Sequence, residues 1–249
     1  MSGFIAIFKR EVLALFVTPL AWIAITSFLL VQGLHFFSLL LHFAAQEGIS
    51  ADAGPVQAFF GGTIFLYMPL IFVCPLLTMR LFAEERRSGT IEALLTAPVG
   101  SAGVVLAKYC AALLVYVAMW APTAFYFVLV SQTGDIDRRV LLTSYLAIFL
   151  VGGGYLAIGT MTSALTKSQV VAAVLSAMTL IGLFILGIAG QFIFREGQAH
   201  HVFSYVSVWA QMEDFSQGII DLRRVVFDLT LIGLPLFITV RAVDSWRWG

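Results

Sequence analysis

The residues best equipped for chemistry crowd one stretch, Glu84-Glu85-Arg86-Arg87-Ser88-Gly89-Thr90-Ile91-Glu92-Ala93-Leu94-Leu95-Thr96-Ala97-Pro98-Val99, between two long apolar runs. Acids and arginines alternate with small and aliphatic residues here, and no histidine or cysteine joins them. That composition suits ion pairing and recognition by another protein rather than bond making. Gly89 can end one helix by adopting the left-handed conformation that other residues avoid. Thr90 can cap the next by accepting from a free backbone N–H. Pro98 stops that second helix, because it lacks an N–H and biases Ala97 away from helical angles. The spacing predicts a long helix, a break, and a helix of about two turns. In the short helix Ile91, Leu94 and Leu95 share a face, and Glu92 lies off it near the positive N-terminus.

Other candidate sites are weaker. The segment from Gly159 to Lys167-Ser168 ends like a phosphate-binding loop but lacks the glycine before the lysine, so ATP is not bound by that route. No GxSxG, HExxH or EF-hand pattern occurs. Gly152-Gly153-Gly154 lies inside an apolar run and reads as close helix packing, extended by Gly153-xxx-Ala157 and Gly159-xxx-Ser163. His200 and His201 could begin a metal site beside Glu196. Neighbours on a helix point about 100° apart and rarely share a metal, so no metal site is expected. Gln32, His35 and Asp228 are polar groups inside apolar runs, where such residues pair internally or line a pathway. Arg224, four residues before Asp228, is its expected partner. Cys74 and Cys110 form no CxxC pair and read as small apolar residues.

These groups sit in a chain of 249 residues that is 60% hydrophobic and 11% charged. Soluble domains carry roughly a quarter charged residues, so the membrane is the default solvent. Formal net charge is zero, which offers no basic face for nucleic acid. A crossing helix needs about 20 apolar residues. Six spans are expected near Ala21–Leu41, Gln57–Phe82, Gly103–Val130, Val140–Leu165, Gln169–Phe194 and Leu222–Val240. Pro69 and Pro75 interrupt the second, Pro122 the third and Pro235 the sixth, and each should kink its helix. The first run is longer than a signal-peptide core of about 7–15 residues and lacks a good cleavage pattern. Residues 2 to 17 place Phe4, Ile5, Phe8, Val12 and Leu15 on one face, with Lys9, Arg10 and Glu11 elsewhere. A helix lying in the membrane surface fits, as does a simple extension of the first span, and Thr18-Pro19 is a natural break. The fold class is thus an all-α membrane protein of six transmembrane helices with an N-terminal interfacial helix. The chain divides as 1–18 interfacial helix, 19–82 spans one and two, 84–99 the charged stretch, 103–194 spans three to five, 195–221 an extracytoplasmic segment, and 222–249 span six and tail. The segment 195–221 is aromatic and amphipathic, consistent with two short re-entrant helices or with one surface helix plus a loop.

Loop charges orient the bundle. Lys9, Arg10, Arg80, Arg86, Arg87, Lys108, Lys167, Arg241 and Arg247 fall on one side, and fewer basic residues (Arg138, Arg139, Arg195, Arg223 and Arg224) on the other. Basic residues stay inside, so both termini and the charged stretch are expected in the cytoplasm, with a multi-pass chain in a bacterial cytoplasmic membrane.

The stretch Glu84 to Val99 resembles the E-E-[KR]-x-x-G-T-[IL]-E-x-L-L-x-x-P-[VI] signature of ABC-2 type permeases. In particular it resembles the branch of the gliding-motility and nitrous-oxide-reductase maturation permeases, GldF and NosY. Leu165-Thr166-Lys167-Ser168-Gln169-Val170-Val171-Ala172-Ala173 is similar to the family's turn between spans four and five. Phe215-Ser216-Gln217-Gly218-Ile219-Ile220-Asp221-Leu222-Arg223 is similar to its entry to span six. With Phe8-Lys9-Arg10-Glu11, the likeness runs the length of the chain. It implies a permease subunit, not itself an enzyme, that dimerises with a second copy or paralogue and binds two cytoplasmic ABC ATPase subunits. ATP and magnesium would then be bound by the ATPase, with no cofactor in this chain. By that resemblance the short helix is a coupling helix, and Glu84, Glu85, Arg86, Arg87, Gly89, Thr90, Ile91, Glu92, Leu94, Leu95 and Pro98 are its ATPase contacts. Spans two and five would line the pathway. Membrane lipid and an extracytoplasmic partner complete the expected contacts. A stand-alone carrier, an intramembrane enzyme, or a scaffold that docks an ATPase without transport are the other readings.

Overall fold

The computed structural model describes residues 2–44, 54–61, 63–91, 99–132, 136–193 and 205–246. Every regular element among them is helical. In chain order these are α1 (Ser2–Val17), α2 (Pro19–Ala44), α3 (Pro55–Phe60), α4 (Ile64–Thr78), α5 (Ala83–Ser88), α6 (Ser101–Trp120), a 3-10 turn (Ala121–Thr123), α7 (Ala124–Val130), α8 (Arg138–Leu165), α9 (Gln169–Ile193), α10 (Val208–Ser216) and α11 (Leu222–Ser245). Among the described residues, six segments are long and apolar enough to cross a membrane: Pro19–Ala44, Ile64–Ser88, Ser101–Val130, Arg138–Leu165, Gln169–Ala189 and Leu222–Ser245. The chain is a multi-pass membrane protein.

Helix α8 is the axis. It packs against α4, α6, α9, α10 and α11, and its glycines let α6 and α11 approach closely. A Cβ on Gly152 would strike the Tyr116 ring of α6, and one on Gly154 would lie 2.9 Å from Leu231 of α11. Gly153 leaves its carbonyl open to the Tyr109 hydroxyl at 3.1 Å. The glycine trio therefore packs helices within the chain, as its position in an apolar run suggested.

The proline expectations hold in detail at Pro122, where the third span passes through the 3-10 turn before resuming as α7. The second span differs from expectation. It begins at Ile64 rather than near Gln57, because Pro55 starts a separate helix, α3, that ends in extended backbone at Gly61. Phe59 and Phe60 of α3 are fully buried against an aromatic cluster with Phe127, Tyr145 and Trp120. Burial of those rings, not span continuation, fixes this segment.

Helix α1 ends at the expected Thr18 break, and Phe4, Phe8 and Leu15 of the expected face pack against the core. Ile7 and Glu11 are buried, whereas Ile5 is exposed. Glu11 belongs to the packed side because a partner waits there. On the opposite end, α10 returns toward the bundle, and the rest of the 195–221 segment before Tyr205 lies outside the described residues. The Thr143 hydroxyl of α8 donates to the Phe215 carbonyl at 2.7 Å, and Gly218 (φ 80°) turns the chain into α11. Helices α9 and α11 keep broad apolar faces outside, through Val170, Val174, Met178, Ile185, Val226, Leu229 and Phe237. In a bilayer such faces meet lipid chains without penalty.

Candidate functional site

The charged stretch grows from a break in the second span. Pro75 has no N–H to give, and α4 ends three residues later at Thr78. The chain then turns through Met79–Phe82 and restarts as α5. A new helix start exposes backbone donors that need partners. Ser163 of α8 meets them from across the bundle. Its hydroxyl accepts from the Phe82 and Ala83 N–H groups at 3.1 Å each and donates to the Met79 carbonyl at 2.9 Å. One turn earlier on α8, Gly159 lets Thr78 pack directly on the helix backbone. So the pair read as small-residue packing also holds the joint that carries the charged stretch.

Arg86 makes the second tie. Its guanidinium donates to the Ala164 carbonyl at 2.7 Å, at the end of α8, and lies over the Trp246 ring at 4.5 Å. A cation there satisfies a carbonyl that the helix leaves open and complements its negative end. Trp246 in turn packs edge-on against Phe82. One arginine thus joins the ends of spans two, four and six. The Arg86→Ala variant is expected to lose about 1–2 kcal/mol, the worth of one partly exposed charged hydrogen bond with its ring contact. Thermal unfolding in detergent should show a lower midpoint with no change in membrane insertion.

Glu85 faces the other way. Its Oε1 accepts from Arg10 at 2.7 Å and from Lys108 at 3.0 Å. Glu11 Oε1 meets the same two cations, Arg10 at 2.7 Å and Lys108 at 3.0 Å. Lys108 is only 1% exposed, so these carboxylates are what keep its charge tolerable. Burial pulls the Arg10 guanidinium down, but the neighbouring charges of Glu11 and Glu85 leave it above its ordinary value. A cleft of about 390 Å³ opens beside the cluster, lined also by Ala14, Leu15, Thr18, Arg80, Leu81, Glu84, Ser88 and Thr90. Glu84 is drawn off to Arg80 in a two-pronged pair at 2.8 and 3.0 Å, an exposed contact of little energetic weight.

Gly89 adopts φ 74° and ends α5, as the sequence required. Arg87, Ser88, Gly89 and Thr90 stand exposed. The Thr90 hydroxyl lies 2.9 Å from that of Ser88. Ile91 is half-buried and packs on the chain's own core, so it is not wholly free for a partner as its sequence face implied. Glu92, Leu94, Leu95 and Pro98 lie outside the described residues.

The intramembrane candidates do not form one site. Gln32 donates to the Phe65 carbonyl at 3.1 Å, and His35 stacks between Phe59 and Phe65 at 5.0 and 5.3 Å. Asp228 is buried and accepts from Gln211 of α10. Its expected partner Arg224 instead pairs with Asp214 of α10 at 2.7 Å. The i,i+4 rule failed there because α10 folds back alongside α11 and offers its own acid and amide. Lys108 also departs from expectation. Assigned to a loop from charge counting, it sits about two turns into α6. A lone lysine inside Val104-Val105-Leu106-Ala107-Lys108-Tyr109-Cys110 is the signal that marks it as a buried ion partner. Nothing local marks Glu11 or Ser163, since their partners lie far along the chain. His200 and His201 lie outside the described residues.

Comparison with known families places residues 8–190 within the family described as ABC-2 family transporter protein. A search of the curated proteins found no match. The family match spans α1 through most of α9 and so contains the whole charged stretch and its ties to α1, α6 and α8.

Proposed function

Because the chain belongs to the ABC-2 family of transporter proteins, we propose that it is a permease subunit driven by a separate cytoplasmic ABC ATPase that grips residues 84–99. Its membership makes it an ABC transporter permease; the ATPase contact and its location are our reading. One observation carries it. The exposed turn Arg87–Thr90 is mounted on a short helix whose base is tied to spans two, four and six through Ser163, Arg86 and Trp246. Force applied at the turn therefore reaches three spans at once. No phosphate-binding motif offers the chain its own energy source. Arg87 stands exposed as a rim charge, and the sequence offers Leu94 and Leu95 as an apolar anchor, a composition suited to a partner.

The proposal includes both termini in the cytoplasm of a bacterial inner membrane and a second permease copy or paralogue. It also keeps the resemblance to the gliding-motility and nitrous-oxide-reductase maturation branch. The uncovered apolar face of α9 suits either the second copy or a pathway shared with span two. A stand-alone carrier or intramembrane enzyme gains no support from Gln32, His35 and Asp228, which have separate partners.

Two measurements test it. In a variant without Cys74 and Cys110, a cysteine at Ser88 is expected to react with an impermeant maleimide only from the cytoplasmic side. One at Gln217 should react only from outside. The opposite pattern overturns the orientation. Affinity purification of the tagged chain from its native membrane should bring down an ABC ATPase polypeptide in stoichiometric amount. Recovery of the folded chain without one, from membranes that contain its candidate ATPases, counts against the reading.

A further inference from the structure

We propose that Lys108 is a positioning residue, and that its ion pair with Glu85 is a releasable catch holding the charged stretch against α1 and α6. The inference rests on the function proposed above for what the catch serves, though not for its existence. The two carboxylates that meet Lys108 are not equivalent. Glu11 rides on α1, which packs along α6, the helix that carries Lys108. Those three residues, Arg10, Glu11 and Lys108, form a fixed socket with one excess positive charge.

Glu85 comes from α5, a six-residue helix with few neighbours. Like Glu11, it meets the two cations through one oxygen, but its second oxygen is the one buried without a partner. Oε1 takes both Arg10 and Lys108, while Oε2 is buried and has no partner. When Glu85 leaves, Lys108 still holds Glu11, so no buried charge is stranded. When Glu85 returns, the cluster is neutral. Glu11 is therefore the permanent partner and Glu85 the exchangeable one. The cleft beside them gives the Glu85 side of α5 room to move, pivoting on the base that Ser163 and Arg86 hold to α8. A pull on the turn Arg87–Thr90 must first draw Glu85 from Lys108. The strength of that pair then sets how readily the charged stretch moves.

The test places spin labels on cysteines replacing Ala14 of α1 and Ser88 of α5, which both line the cleft. It uses the full-length chain in nanodiscs, with Cys74 and Cys110 removed. The unaltered cluster should give a short, narrow distance distribution. Glu85→Gln should broaden it and shift it outward while thermal stability stays close to the parent, because Lys108 keeps Glu11. Lys108→Met combined with Glu11→Gln, which removes the cation without stranding a carboxylate, should broaden the distribution as Glu85→Gln does. A purely packing role for Lys108 would leave that variant narrow. An unchanged distribution in Glu85→Gln, or a narrow one in the Lys108→Met, Glu11→Gln variant, overturns the catch. Because the chain is measured alone, failure to find an ATPase partner would refute the proposed function and leave this result standing.

Discussion

The Gly152→Leu variant is expected to lose its native packing. Gly152 is buried on α8, and any Cβ there meets the ring of Tyr116. Tyr116 cannot step aside easily. It is fully buried, its hydroxyl donates to the Ile148 carbonyl at 3.0 Å, and its ring packs against Trp120 and Phe149. A leucine must either push α6 away from α8 or expel the tyrosine from its bond. Overpacking costs about 1–3 kcal/mol and leaving the buried Tyr116 hydroxyl unpaired about 1–3 more. Together these approach the whole stability of a domain, about 5–15 kcal/mol. Size-exclusion profiles after heating should show Gly152→Leu aggregating at temperatures the parent survives. Gly182→Leu provides the control, since a Cβ there meets nothing within 4 Å, and its profile should match the parent.

The second large effect concerns the anchor. Replacing both Leu94 and Leu95 with aspartate should abolish co-purification of the ATPase while leaving the chain in the membrane. Burying a leucine side chain is worth about 1.5–3 kcal/mol, and placing an unpaired carboxylate in an apolar groove costs more. Two such changes exceed about 4 kcal/mol, or about a thousandfold in affinity. Insertion should be untouched, because both residues lie in sequence between the crossing segments Ile64–Ser88 and Ser101–Val130. Arg87→Ala, by contrast, removes only an exposed rim charge and should weaken recovery modestly.

Much of the architecture was legible because it rests on local rules. Six runs of sufficient length and hydropathy are spans wherever they pack. Gly89 was readable as a helix end because a left-handed residue is needed where a charged helix stops, and glycine supplies it without strain. Gly152-Gly153-Gly154 was readable as packing because a run of small residues in a membrane helix lets a neighbouring helix approach closely. What escaped depends on partners distant in sequence. Glu11 looked like a polar-face residue until Lys108, 97 residues on, reached it. Arg224 and Asp228 sit at helical spacing, yet α10 competes for both and takes each one separately. Ser163 was visible as a small residue, but only the break after Thr78 turns its hydroxyl into a cap for another helix. The start of the second span was missed because hydropathy runs on through Phe59 and Phe60, whereas Gly61 and the aromatic cluster end α3 there.

The central claim is that residues 84–99 are where an ATPase takes hold. Replacing Leu94 with p-benzoylphenylalanine and irradiating the native membrane tests it most directly. The account predicts a light-dependent adduct with the mass of this chain plus an ABC ATPase, and none when the same group replaces Gln217. An ATPase that co-purifies with the chain yet forms no adduct at position 94, or that cross-links at position 217 instead, would contradict it.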